Sequence, residues 1–177
     1  MIKNYEPMCI CLQHLGIYNT QIKNYQLASQ SMRTADELGT AIYVHNKITY
    51  KNIQIQNSEI QHSATKIYLG NHKKLTICNI YNQPNYNYNL TNLKNILTTL
   101  AQPTLLVGDL NAHSPVWDEN ITEADAAGKK IEEILDEKNM ICLNEADTYT
   151  YVSNTNGATT AIDLAICSVL RHHSQPT

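Results

Sequence analysis

The sequence predicts a layered α/β domain, and three features carry that prediction. Short apolar runs bounded by polar or turn residues recur along the chain, as in Met8-Cys9-Ile10-Cys11-Leu12, Gly39 to His45 and Leu105-Leu106-Val107. Leu90, Leu93, Leu97 and Leu100 then recur at helical spacing with Ile96 alongside. Strand and helix signals alternate mainly in the second half of the chain, the pattern of a sheet covered by helices.

Taken in order, Met8 to Leu12 suits a buried strand ending at Gln13-His14, and Gly39 to His45 is the next strong strand. Ile48 to Gln56 alternates, with Ile53 and Ile55 against Asn52, Gln54 and Gln56, as a half-exposed strand does. Lys66 to Leu69 and Leu75 to Tyr81 flank the polar stretch Gly70 to Lys74 and predict a hairpin. Asn82 to Asn89 is a Pro- and Asn-rich loop before the first helix. After the strand at Leu105 comes a loop from His113 to Asn120. A helix from near Asp125 to Lys138 follows, its inner face made by Ile131, Ile134 and Leu135. Met140 to Leu143, Thr148 to Val152 and Thr160 to Cys167 read as further strands, with a turn at Asn156-Gly157. Arg171 to Thr177 reads as a frayed polar end.

The chain has 177 residues, 42% hydrophobic and 16% charged, which fits one domain with a real core. A formal charge of −3 and a pI near 6.1 lack the overall basic signature of a nucleic-acid binder, although a local cleft can still serve one. Cys9, Cys11, Cys78, Cys142 and Cys167 are odd in number and form no C-x-x-C pair. They read as small buried hydrophobes in a reducing compartment, hence an intracellular protein. No apolar run is long enough to span a bilayer, and no secretion signal is visible at the N-terminus.

The stretch with most chemical content is Gly108-Asp109-Leu110-Asn111-Ala112-His113. If the strand at Leu105 stays extended, Asp109 and Asn111 project to one side, a carboxylate and an amide together. The alternative is an Asp-Asn turn that only closes a loop. Asp163, in an apolar strand beside Ala161 and Ala165, is the second unusual acid. A carboxylate in such surroundings is costly unless paired, so it is either a strand-end acid facing solvent or one that orients a histidine or holds a metal.

Gly108 to His113, followed by Pro115-Val116-Trp117, closely resembles the endonuclease/exonuclease/phosphatase superfamily, in particular the endonuclease domains of non-LTR retrotransposon reverse transcriptases. Pro7 to Gln13, Gly39 to His45, Asn79 to Pro84 and Thr159 to Leu164 match further segments of that family in the same order. The resemblance implies a DNase I-like fold, a four-layered sandwich of two mixed β-sheets flanked by helices, here incomplete. It also implies Mg²⁺- or Mn²⁺-dependent cleavage of phosphodiesters in DNA. By the same resemblance, Asp109 would orient or deprotonate the attacking water and Asn111 would donate to the scissile phosphate. Tyr81 would support the phosphate or leaving group, and Asp163 would hold a catalytic histidine. His113 and Trp117, in the loop after the strand, are candidate DNA contacts, with ordinary packing of a Pro-anchored loop as the alternative.

Three departures from the family pattern point to impaired activity, with a domain remnant that keeps the fold as the competing reading. Only Met1 to Glu6 precede Pro7, where the family has another strand. His14 stands where the family carries a metal-binding glutamate; imidazole can ligate Mn²⁺ or Zn²⁺ but suits hard Mg²⁺ poorly. The family's closing Ser-Asp-His segment has no counterpart, and His172 and His173 lack its context. The family reading further implies a place within a longer reverse-transcriptase polyprotein and nuclear action. A chain shortened at both ends is expected to expose sheet edges and to be marginally soluble; size-exclusion chromatography and a thermal melt check this, with a monodisperse, sharply melting monomer as the contrary result.

Overall fold

β3 (Gly39–His45) is buried at all seven positions, and the smaller of two stacked sheets forms around it. A computed structural model of the chain describes residues 6–15, 21–31, 39–56, 59–83, 90–145 and 147–169. β3 pairs antiparallel with β1 (Cys9–Leu15) on one side and β2 (Tyr25–Gln30) on the other. The larger sheet has six strands in the order β4-β5-β6-β7-β11-β8. Its members are β4 (Thr49–Ile53), β5 (Gln61–Tyr68), β6 (Lys74–Tyr81), β7 (Thr104–Asp109), β8 (Met140–Cys142) and β11 (Asp163–Ser168). A separate ribbon pairs β9 (Tyr151–Val152) with β10 (Thr159–Thr160).

Each sheet position follows from the local sequence. β5 and β6 form the expected hairpin through Gly70 to Lys73, where Gly70, Asn71 and His72 all take positive φ. β6 and β7 run parallel, which a tight turn cannot achieve. α1 (Leu90–Thr99) makes that crossover, and Leu93, Ile96 and Leu97 bury its inner face. α2 (Ala126–Lys138) starts at Asp125, whose carboxylate accepts the Gly128 N–H at 2.6 Å, and ends at Asn139 in the left-handed conformation. Both helices pack on one face of the six-stranded sheet against Ile80, Leu106, Leu164 and Ile166. The smaller sheet covers the other face, setting Ile42 and Val44 against Ile67 and Ile77.

The layers, among the described residues, are therefore helices, sheet and sheet. The expectation of two mixed sheets needs correcting: only the larger sheet is mixed, the smaller is wholly antiparallel, and the β9–β10 ribbon is a third. The expected single strand from Thr160 to Cys167 is also two. The Ala161 N–H goes to Asp118 and those of Ile162 and Asp163 go to Thr150 Oγ1, which interrupts the ladder between β10 and β11. β2 has no clear sequence signal, since Tyr25-Gln26-Leu27-Ala28-Ser29-Gln30 carries polar residues throughout and a bulge between Leu27 and Ser29 breaks its alternation. No helix among the described residues is long and apolar enough to cross a membrane.

Asn79 bolts the two sheets together. It is fully buried on β6, and its Nδ2 donates to the Leu12 carbonyl at 2.8 Å and the Ala41 carbonyl at 3.0 Å. Its Oδ1 accepts from Gln13 Nε2. One amide thus holds β1 and β3 over β6. Asn79→Leu keeps the volume and forfeits all three bonds; at about 1–3 kcal/mol for each buried polar group left unmatched, a loss of at least about 3 kcal/mol is expected in urea denaturation.

Candidate functional site

The site lies where β6, β7 and β11 end side by side. In the parallel β6–β7 register Tyr81 stands opposite Asp109, and in the antiparallel β7–β11 register Asp109 stands opposite Asp163. Residues opposed across neighbouring strands share a face, so Tyr81, Asp109 and Asp163 form one row with a spacing of about 4.8 Å between strands. The row faces the smaller sheet, as Val107 two positions earlier does.

Gly108 makes the row possible. Its φ is +139°, and a Cβ there would sit 1.9 Å from the Ile80 carbonyl oxygen. Only glycine lets β7 approach β6 this closely where Asp109 must turn inward.

The strand ends at Asp109, which corrects the extended reading of Asn111. Asn111 has φ +43°, its N–H donates to Asp109 Oδ1 at 3.0 Å, and its Nδ2 donates to the Asn82 carbonyl at 2.7 Å. Asp109 and Asn111 are thus adjacent through an Asx-type turn rather than through strand alternation. Asn82, without a sequence signal of its own, braces this turn: its N–H reaches the Asp109 carbonyl at 2.8 Å and its Nδ2 the Leu110 carbonyl at 3.1 Å.

His14 arrives from the other sheet. Between Leu12 and Leu15 the β1 register slips, three steps of β1 matching two of β3, and His14 takes φ +56°. Such bulges re-aim side chains, at a backbone cost of about 1 kcal/mol or more for a non-glycine residue. Here the imidazole lands edge-on to the Tyr81 ring, centroids 4.1 Å apart, with Nε2 3.9 Å from Asp109 Oδ2. The His14 side chain is 51% exposed and that of Asp109 15%, so the pocket opens past the histidine.

Burial raises the pKa of Asp109; the Asn111 N–H opposes the shift, Asp163 adds to it and His14 opposes it. Burial, then the Asp109 carboxylate, likewise raises the Tyr81 phenol, which stays a neutral donor. Asp163 is held through its backbone: Asn144 Nδ2 donates to its carbonyl at 2.9 Å, and its N–H reaches Thr150 Oγ1 at 3.0 Å. His172 and His173 lie outside the described residues.

The structure parts the two loop residues from the row. Trp117, a candidate DNA contact, is fully buried in the helix-covered core, with Nε1 donating to the Ala112 carbonyl at 3.2 Å; this corrects the expectation and makes it a packing residue. His113 is half-buried, and its carbonyl accepts the Asp125 N–H at 3.0 Å and lies against Gly128, where a Cβ would come within 2.0 Å of it. The buried carboxylate of Asp118 was hidden in the sequence among ordinary loop residues, yet it ties this loop to Asn120 and Ala161.

The donors present do not fit a hard divalent cation. Mg²⁺ demands near-octahedral oxygen coordination. One Asp109 oxygen is engaged by Asn111, the other faces an imidazole, and among the described residues no three His, Cys, Asp or Glu side chains converge to hold an ion.

A family model described as endonuclease-reverse transcriptase matches residues 75–175. No curated protein matches the chain. Among solved structures, the endonuclease domain of TRAS1, a telomere-specific non-LTR retrotransposon, superposes with a TM-score of 0.78 at 17% identity, over 94% of this chain and 75% of that one. D. rerio TDP2, solved with a single-strand DNA product, gives 0.59 at 12% identity, over 94% and 73%. ANGEL2, a 2′,3′-cyclic phosphatase, gives 0.51 at 12%, over 94% and 71%. At these identities the likeness is one of fold.

Two outcomes follow from the geometry. Gly108→Ala drives a methyl group into backbone and is expected to cost more than about 3 kcal/mol in urea unfolding, beyond the usual range for one methyl. A carboxyl whose folded pKa is raised binds its proton more tightly in the folded state, so its charge lowers stability above that pKa and the penalty fades as pH falls through it. Asp109→Asn should therefore match or exceed the wild type in stability at neutral pH, where most substitutions cost about 1 kcal/mol, and any advantage should shrink in acid.

Proposed function

The chain belongs to the endonuclease-reverse transcriptase family, within the endonuclease/exonuclease/phosphatase superfamily, and from that premise we propose that it is a DNA-directed phosphodiesterase domain of a non-LTR retrotransposon whose cleavage activity is impaired. The observation that carries the reading is the row Tyr81–Asp109–Asp163, with Asn111 and His14 closing on Asp109. Each member suits a phosphodiester. The Asp109 carboxylate, its basicity increased by burial, would accept a proton from water. The neutral Tyr81 hydroxyl and the Asn111 amide would donate to phosphate oxygens. Asp163 faces Asp109 and makes the charged form of Asp109 less favourable.

The same row explains the impairment. Two carboxylates repel a phosphodiester, and in this superfamily a divalent ion would neutralise the developing charge. The described donors do not fit such an ion, and His14 supplies at most one positive charge when protonated. Loss of one member of a cooperating site usually costs orders of magnitude in rate. This favours, as the second reading, a domain that keeps the fold and only weak nucleic-acid affinity. A longer reverse-transcriptase polyprotein and a nuclear place of action belong to the same proposal.

Nicking of supercoiled plasmid with Mg²⁺ or Mn²⁺ tests it. The wild-type chain should nick near background, Asp109→Asn should be silent, and His14→Glu should raise the rate at least about tenfold. Rapid wild-type nicking that disappears in Asp109→Asn would overturn the impairment. No gain from His14→Glu, with DNA binding retained in a mobility-shift assay, would favour the non-catalytic reading.

A further inference from the structure

The hairpin end of the larger sheet, opposite the end that carries the row, gathers positive charge. Between Lys47 and Gly108 the sequence holds Lys47, Lys51, Lys66, Lys73, Lys74 and Lys94 against a single acid, Glu59, in a chain whose formal charge is −3. Lys47 pairs with Glu6, and Lys94 with Glu133 and Glu137. Lys51, Lys66, Lys73 and Lys74 enter no ion pair among the described residues. Glu59 accepts from Asn92 Nδ2 on α1 and precedes Gln61, which stands opposite Tyr81 at the far end of the sheet.

β4, β5 and β6 pair without a bulge, so their register places these side chains. Lys51 stands directly opposite Lys66, and Lys74 stands opposite Tyr68, two residues beyond Lys66 on the same strand. All four share the face of Ala64, the helix side of the sheet. They are spaced by about 4.8 Å across strands and about 6.8 Å along them. Lys51 and Lys74 are exposed, Lys66 is partly so, and Tyr68 keeps 42% of its surface in water.

This arrangement is unfavourable for the domain by itself. Like charges directly opposite on neighbouring strands are destabilising, and a large ring left in water forgoes burial. A lysine on an edge strand discourages edge pairing, which accounts for Lys51 on outer β4 but not for Lys66 and Lys74 on inner β5 and β6. A chain of phosphates relieves the repulsion, and an unpaired base covers the ring. A duplex offers the phosphates but keeps its bases stacked, and an anionic lipid surface has no flat ring for Tyr68.

We propose that the hairpin end of β4, β5 and β6 binds single-stranded nucleic acid, Lys51, Lys66 and Lys74 holding phosphates while Tyr68 stacks on a base. β6 begins at Lys74 and ends at Tyr81, so this surface lies about 23 Å from the row. It is a second site, and it stands whether or not the phosphodiesterase reading does.

Fluorescence anisotropy with labelled oligo-rU and oligo-dT of about twelve nucleotides tests it, in EDTA so that cleavage plays no part. Each phosphate neutralised on a single strand contributes about −0.7 to the slope of log affinity against log salt, so three lysines should give about −2. Lys51→Gln, Lys66→Gln and Lys74→Gln should each make the slope shallower by about 0.7. Tyr68→Ala should weaken binding about fivefold or more, and the matching dA·dT duplex should bind weaker than oligo-dT by a similar factor. Lys129→Gln, on the exposed side of α2, should change nothing. A preference for one oligonucleotide identifies the sugar and supports the proposal. No binding, an unchanged slope in the three lysine variants, full affinity in Tyr68→Ala or equal affinity for the duplex would overturn it. So would binding to phosphatidylserine vesicles without binding to either oligonucleotide.

Discussion

A single buried amide sets the relation between the two sheets. Asn79 sits where apolar contact would give attraction without register, and its three hydrogen bonds reach Leu12, Gln13 and Ala41. Apolar burial is non-directional, whereas a satisfied polar group in a dry core tolerates few alternative arrangements. The clamp lies immediately before the β1 bulge on one side and two residues before Tyr81 on the other. Fixing the first fixes where His14 meets the second.

The site that results is polar, partly dry and short of positive charge. Its two acids come from neighbouring strands whose backbone spacing gives them no freedom to separate, and the turn at Asn111 spends one Asp109 oxygen on structure. Phosphate recognition in such a place depends on a counter-charge from outside the row. His14 is the only described group at the row able to carry a positive charge, and it is half in solvent. The chain therefore combines a fold shared with an endonuclease domain and a 2′,3′-cyclic phosphatase and, at this row, an electrostatic balance poorly matched to an anionic ligand.

Much of this was legible in the residues. β3 and β7 were visible as apolar runs, α2 from its inner face and Asp125, and the β5–β6 hairpin from its polar turn, because each is decided by local periodicity or turn chemistry. The row itself followed from family likeness rather than from pattern, since register between strands distant in sequence has no local code. What stayed hidden had a tertiary origin. The left-handed turn at Asn111 depends on the Asn82 carbonyl, the break before Asp163 depends on Asp118 and Thr150, and β2 is a strand because β3 offers it an edge. Trp117 reads equally as a DNA contact or as a packing residue of a Pro-anchored loop until the core that receives it is in view.

The parallel pairing of β6 with β7 bears on how the domain comes into being. A hairpin such as β5–β6 can close early, but β7 can join only after α1 has been threaded across the sheet, and β11 must return from beyond α2. Pairings between segments far apart along the chain form slowly, because loop closure is costly before contacts reward it. Tyr81, Asp109 and Asp163 belong to three strands joined only by such late events. Their alignment therefore rests on closing these long connections, and secondary structure by itself does not make the site.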